Sequence, residues 1–297
     1  MVKFLKASNA CFLLVVVTLC LTIYSYNFSS YYEKICVDES TSVAKNLGFS
    51  SFSKKIRHQF DKLTKNKVNS KNPNLIAYLK NIIRPPNDNK LKKWNFMVKT
   101  PQAEEIDNIL KKKNGFFVEA GGFDGETASN TLFLEVERGW TGLLIEPDPY
   151  FYTQLVGKNR NVWSINACIS PFNYTSKLYL QESFGQLGRL HEYKSTEFIT
   201  EVPCFPLESM LLALERKSVD FLSLDVEGDE VPILKSINFD EIDIKTLAVE
   251  YKHGNPKEYL EVMEKNNYNM TRAIKYERPE IHLYVEDYIF VKKINLH

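Results

Sequence analysis

Cysteine and histidine are scarce in this chain, five of each among 297 residues. No CxxC and no Cys/His metal spacing occurs, which excludes zinc-finger sites. Charge is almost balanced: 38 Lys and Arg against 37 Asp and Glu leave a net charge of +1. A domain that holds nucleic acid by bulk electrostatics carries a basic stripe. The one basic concentration here, Lys54 to Lys71, is diluted with Ser, Asn and Gln and reads as a solvated segment. No nucleic-acid partner is expected. No GK[ST] follows a glycine loop, so a P-loop is excluded. There is no internal repeat.

Long apolar runs are also few, and the clearest is at the N-terminus. Lys3 and Lys6 precede ACFLLVVVTLCLTIY, Ala10 to Tyr24, which contains no charge. A spanning helix needs about 17–25 residues, so the run suffices if its edges contribute. Tyr24, Tyr26 and Phe28 resemble an interfacial aromatic belt, and the preceding lysines place the N-terminus in the cytosol. A cleaved signal peptide is the rival reading. The expected organisation is a cytosolic tail over 1–9, a single-pass type II signal-anchor over 10–26, a stem or linker over 27–98 with room for a short helix, and one domain over 99–297. The domain would then face the lumen or the cell exterior, on a membrane of the secretory or endosomal pathway. Three N-glycosylation sequons, at Asn27, Asn173 and Asn269, agree with that side. An oxidising compartment would let Cys168 and Cys204 pair, two buried thiols being the alternative.

From about Lys99 the pattern is regular. Pro101 opens a helix that Asn114-Gly115 ends. A short apolar strand, FFVE, runs into the glycine-rich loop Ala120 to Gly125, followed by a helix from Ser129 to Arg138. Strand Thr141 to Glu146, a helix near Tyr150 and strand Asn161 to Asn166 come next. After an insertion of extended segments, the very apolar strand Val219 to Leu224 leads to DVEGDE. Strand Thr246 to Glu250 and two closing antiparallel segments complete the chain. Strands alternating with helices indicate an α/β, mostly parallel sheet with right-handed crossovers.

The loop Glu119-Ala-Gly121-Gly-Phe-Asp124-Gly125 carries the first chemical signal. Glycine lets backbone approach closely. Ala120 breaks the dinucleotide fingerprint, and Asp124 within the turn would oppose a pyrophosphate. The acidic pattern suits a cofactor with a positive end and no phosphate, such as S-adenosylmethionine. Glu146, about 20 residues on at the next strand end, suits two ribose hydroxyls. Asn166 ends the third strand, near an adenine or as a turn residue. Asp225 and Glu227 follow the most apolar strand, where they can orient a substrate hydroxyl, act as a base, hold a hard cation together with Asp229, or merely cap a helix. No metal is required. Glu250 and His253 complete an acidic mouth, although a lone histidine after a strand is commonly a surface residue.

VEAGGFDGETAS, LLIEPDP and VDFLSLDVEGDEVPIL, in that order, resemble the FkbM-type branch of the class I methyltransferases over about Gln102 to Lys292. The resemblance implies a Rossmann-like fold with a terminal antiparallel strand and methyl transfer to hydroxyl oxygens. It implies that Glu119, Gly121 and Gly125 line the cofactor, that Glu146 holds the ribose, and that Asp225 lies at the reaction centre. The family often has Asp where this chain has Glu119. A short anchor joined to such a domain, with Cys168 and VPCFPL, is similar in layout to the membrane protein Star and its relatives. That likeness implies a partner of another class: a growth-factor cargo moved between endoplasmic reticulum and Golgi, in place of a small-molecule, glycan or lipid substrate.

Overall fold

The computed structural model describes residues 49–87, 99–181, 189–191, 199–278 and 283–293. The predicted cytosolic tail and anchor, Asn27 and Cys36 lie outside them. Among the described residues no helix is long and apolar enough to cross a membrane. The chain divides into two compact units, 1–58 and 59–297. Of the first, only the start of helix α1 (Phe49–Lys65) is described; every later element belongs to the second.

The segment expected to be stem contributes to that second unit. Helix α2 (Pro73–Ile82) begins with Pro73 at its first position and Asn72 as cap, whose side chain accepts from the N–H groups of Asn74 and Leu75. Proline and asparagine are suited to those two places. Leu75, Tyr78 and Leu79, at helical spacing, are buried. The Phe205 ring lies 5.6 Å from that of Phe60 and 5.9 Å from that of Tyr78. The second compact unit starts at Gln59, some forty residues before the expected domain boundary.

Beyond α3 (Pro101–Leu110) the elements are β1 (Phe116–Ala120), α4 (Leu132–Arg138), β2 (Thr141–Ile145), α5 (Pro149–Gly157), β3 (Trp163–Ile165), β4 (Cys168–Ile169), β5 (Ser176–Gln181), β6 (Arg189–His191), β7 (Ile199–Phe205), α6 (Leu207–Ala213), β8 (Ser218–Leu224), α7 (Glu230–Ser236), β9 (Asp243–Glu250), α8 (Pro256–Lys265), β10 (Tyr268–Arg278) and β11 (Leu283–Lys292). Seven strands form one sheet in the order β3-β2-β1-β8-β9-β11-β10. The first five pair in parallel, and β11 runs antiparallel to both β9 and β10. Every residue of β1 is buried, as expected of a strand covered on both faces. Phe117, Phe221, Leu144, Ala248 and Ile289 sit together in the core. The result is the α/β, mostly parallel sheet that the alternation predicts, with the Rossmann-like form and antiparallel edge that the resemblance implies.

The segment between β3 and β8 builds a second, four-stranded sheet, β4-β7-β5-β6. Cys168 and Cys204 stand opposite each other across β4 and β7. Their Cα atoms are 4.5 Å apart and their sulfurs are joined. Asn173 and Asn269 are both exposed. In the large sheet, strand order reverses between β1 and β8: the chain builds outward to β3, then crosses back. At such a switch point the carboxyl ends of neighbouring strands leave a crevice.

Candidate functional site

The glycine turn closes on backbone from both sides. Gly121 has φ 87°, and a Cβ on it would lie 1.9 Å from the carbonyl oxygen of Asp225. The N–H of Asp225 donates to the carbonyl of Ala120 at 3.2 Å, and those of Gly121 and Gly122 donate to the carbonyl of Ile145 at 3.1 Å. Gly121 is thus required where the ends of β1 and β8 meet. Gly125, with φ 82°, abuts Leu155 of α5, which a Cβ would approach to 3.1 Å. Both glycines serve chain packing before any ligand.

Glu119 is turned inward. Its carboxylate accepts from the Ser129 hydroxyl at 2.9 Å, the Asn130 N–H at 2.7 Å and the Thr131 hydroxyl at 2.5 Å. That use of 129–131 explains why α4 starts at Leu132 and not at the expected Ser129. Arg160, just before β3, completes the knot. Its guanidinium donates to Glu135 at 2.7 Å, to the Gly125 carbonyl at 3.0 Å, and to the Ser129 and Thr131 hydroxyls at 2.9 Å each. The Arg160 side chain is 1% exposed. Glu119 therefore supports the glycine loop from beneath.

Asp124 also folds back. It accepts from the N–H groups of Glu126 and Thr127 and from the Thr127 hydroxyl, with Lys158 at 3.4 Å. Burial pushes its carboxyl up, but these donors hold it below the usual range. The Asp124 carboxylate is thus bonded within the turn itself.

Glu146 bridges two loops, accepting from Phe123 N–H at 2.7 Å and from Asp148 N–H at 2.8 Å. Burial pushes its pKa up to about 8 despite those bonds. Phe123 holds a positive φ of 48°, unusual for a bulky residue, and its ring lies 4.2 Å from that of Phe151. The Asn166 amide donates to the carbonyls of Glu146 and Pro147 at 2.8 and 3.0 Å, fixing the strand end that presents Glu146.

On the other side of the turn lies an acidic cluster. Asp225 leaves β8, Glu250 ends β9, and Asp287 of β11 pairs in register with Glu250. Desolvation, then the facing carboxylates of Glu250, Asp287, Glu227 and Glu230, push the Asp225 carboxyl well above its ordinary range. Glu250 is pushed to about 8, by burial and then by Glu227, Glu230 and Asp287. Burial raises Asp287 to about 7, although Gln102 of α3 donates to it at 2.8 Å. Glu230 is fully buried and accepts from the N–H groups of Val226 and Gly228 at 3.0 and 3.1 Å, shaping the 226–228 loop. Glu227, with φ 60°, lies against His253 at 2.8 Å. The expected surface histidine is corrected: only 15% of the His253 side chain is exposed.

Of the expected site residues, the fold gathers Asp225, Glu227, Glu250 and His253, sets Gly121 against Asp225, and joins Glu146 to the turn through Phe123. Glu119, Gly125 and Asn166 hold these parts in place. Arg160, Asp287 and Gln102 went unseen in the sequence because no motif singles them out, and Glu230, although it ends DVEGDE, was given no role there.

A model of the FkbM methyltransferase domain matches residues 119–270, more than half of the chain. Among curated proteins none matches. Similar solved structures include a TehB-like SAM-dependent methyltransferase from Corynebacterium glutamicum (13% identity, 65% of this chain and 87% of that one, TM-score 0.36). Another is the 1,6-didemethyltoxoflavin-N1-methyltransferase of Burkholderia thailandensis, with its substrate and S-adenosylhomocysteine bound (11%, 67% and 80%, TM-score 0.37). A third is the magnesium protoporphyrin IX methyltransferase of Synechocystis with bound SAM (8%, 64% and 79%, TM-score 0.36). By the match over its glycine turn, strand-end acids and DVEGDE segment, the chain belongs to the FkbM methyltransferase domain family.

Proposed function

We propose that the chain is an S-adenosylmethionine-dependent O-methyltransferase of the secretory pathway that acts on a hydroxyl of a small molecule, glycan or lipid. The observation that carries this reading is the position of the glycine turn: Glu146 is bonded to one side of it, and the Asp225 backbone abuts the other. A ribose-binding acid and a reaction-centre acid thus flank one loop in a chain of this family. The donor set fits the cofactor. Each Glu146 carboxylate oxygen accepts one backbone N–H and keeps a second lone pair for a ribose hydroxyl. Asp225, Glu227, Glu230, Glu250 and Asp287 suit a ligand with a positive end, because the attraction between opposite charges is stronger out of water.

Bound there, the cofactor supplies a methyl group on a cationic sulfonium. This chain's part is alignment and proton handling. Asp225, raised by burial and its neighbours, returns toward its ionised form beside a positive charge and can then take the hydroxyl proton. Gly121, Phe123 and Glu146 hold the loop that sets its distance.

Calorimetry on the full-length protein in detergent tests the reading. Wild type should bind S-adenosylmethionine, and Asp225→Asn should keep binding while losing methyl transfer. Glu146→Ala should bind about tenfold more weakly or worse, since it removes two hydrogen bonds worth about 0.5–1.5 kcal/mol each. A folded wild-type protein that shows no heat and no thermal shift with the cofactor would sink the methyltransferase reading, and the cargo-binding role would take its place.

A further inference from the structure

Methyl transfer as described uses Glu227 and Glu250 only as part of the acidic surround of a positive charge, and it gives His253 no task. Glu227 follows β8, Glu250 ends β9, and His253 lies three positions further on. His253 Nε2 is 2.8 Å from Glu227 Oε2 and 3.9 Å from Glu250 Oε2. One ligand atom from each of the three lies within 4.8 Å of the others. Two atoms bound to one ion at about 2.0–2.2 Å stand no further apart than twice that length. The two measured separations are therefore ones that a single cation can span.

Glu250 adds an independent observation. The residue is 7% exposed, and its Oε2, the oxygen that faces His253, has no hydrogen-bond partner among the described residues. Buried carboxylate oxygens are ordinarily satisfied, and an orphan is costly. This one is aimed at a point shared with an imidazole and a second carboxylate. The loop that brings Glu227 there is held in an unusual backbone conformation, φ 60°, by two N–H bonds to the buried Glu230. Such conformations persist where the surroundings over-determine them. The set differs from the Asp225, Glu227 and Asp229 that the sequence alone offered for a cation.

We propose that Glu227, Glu250 and His253 bind a divalent first-row transition cation of the manganese or zinc type. Two carboxylates with one imidazole suit those ions, whereas calcium takes six or more oxygens. Three protein ligands leave further coordination positions free for water or for oxygen atoms of an acceptor. The use of those positions for an acceptor rests on the methyltransferase reading; the ion site does not.

The test uses full-length protein stripped with chelator and titrated with Mn2+, followed by electron paramagnetic resonance, with Zn2+ as competitor. One Mn2+ should bind per chain, be displaced by Zn2+, and show coupling to an imidazole nitrogen. Glu250→Gln and His253→Gln should each weaken it about tenfold or more, and His253→Gln should abolish the nitrogen coupling. Wild type that binds neither ion, or binds Mn2+ without nitrogen coupling, overturns the site, and this outcome does not depend on either variant folding. Affinity unchanged in both folded variants overturns it equally. Cofactor calorimetry on the same sample separates the two readings: ion bound and cofactor refused leaves the site standing and removes the methyltransferase, and the reverse result does the opposite.

Discussion

At the scale of single residues, two buried ionisable groups bear on the site's stability. Arg160 is the common partner of Glu135, Ser129, Thr131 and the Gly125 carbonyl. Removing one member of a buried ion pair costs about 3–5 kcal/mol, because the other is left uncompensated. Arg160→Met should lower the denaturation free energy by that order, and Arg160→Lys should not restore it, since an ammonium cannot reproduce the planar fork. A loss under 1 kcal/mol in either chemical denaturation series would show that the network contributes little. Glu146 sets a pH dependence. Its folded-state pKa, about 8, and that of Asp287, about 7, lie above their ordinary values, so the folded protein holds more protons than the unfolded chain between about pH 4.5 and 8. The stability from these two groups is complete below that window and is lost as pH rises through 7 to 8. With chelator present, the melting temperature should fall from pH 5 to pH 8.5, and Glu146→Gln should flatten the slope. A melting temperature that climbs over this interval contradicts the assignment.

At the scale of elements, the junction of β1 with β8 is the most constrained point. A Cβ on Gly121 meets main chain, which has little freedom to move, and φ 87° is itself unfavourable for other residues. Gly121→Ala should therefore disrupt folding, not only ligand entry. Gly157, at the end of α5, has nothing among the described residues within 4 Å of an added Cβ, so Gly157→Ala should be neutral or stabilising by up to about 1 kcal/mol. Thermal melts of the two variants, compared with wild type, check the contrast; near-equal melting points would disprove the close approach. The same reasoning separates helices that were legible from one that was not. α3 and α5 each start at a proline behind a capping Thr or Asp, a local signal. α2 has the same signal, but its surroundings are rich in Lys, Asn and Ser, and composition hid its apolar face.

At the scale of the whole molecule, the second sheet is small and its core is Cys168, Leu178, Leu180, Val202 and Cys204. The bond between Cys168 and Cys204 spans 36 positions. Closing a loop of that length contributes about 3–4 kcal/mol by restricting the unfolded chain. Protein made through the secretory route should yield neither cysteine to alkylation before reduction and both after it. Cys168→Ala with Cys204→Ala should lower stability by that order. Mass spectrometry that finds both thiols free in native secreted protein would end the assignment.

What the sequence determined by itself is the set of local units: apolar strands, proline-led helices, a glycine turn after β1 and acids at three strand ends. Each depends on residues close together in the chain, so periodicity and turn chemistry suffice to read it. Which units meet was decided by the tertiary structure. Glu227 follows β8, Glu250 ends β9 and Asp287 lies within β11, and they share one mouth because β8, β9 and β11 are neighbours in the sheet. Crossover connections bring distant strand ends together, and no local pattern records that order. Burial did the rest. It turned Glu119 and Asp124 inward, drew His253 against Glu227, and raised the carboxyls of Asp225, Glu250 and Asp287, since the charge of an acid depends on what the completed fold places beside it.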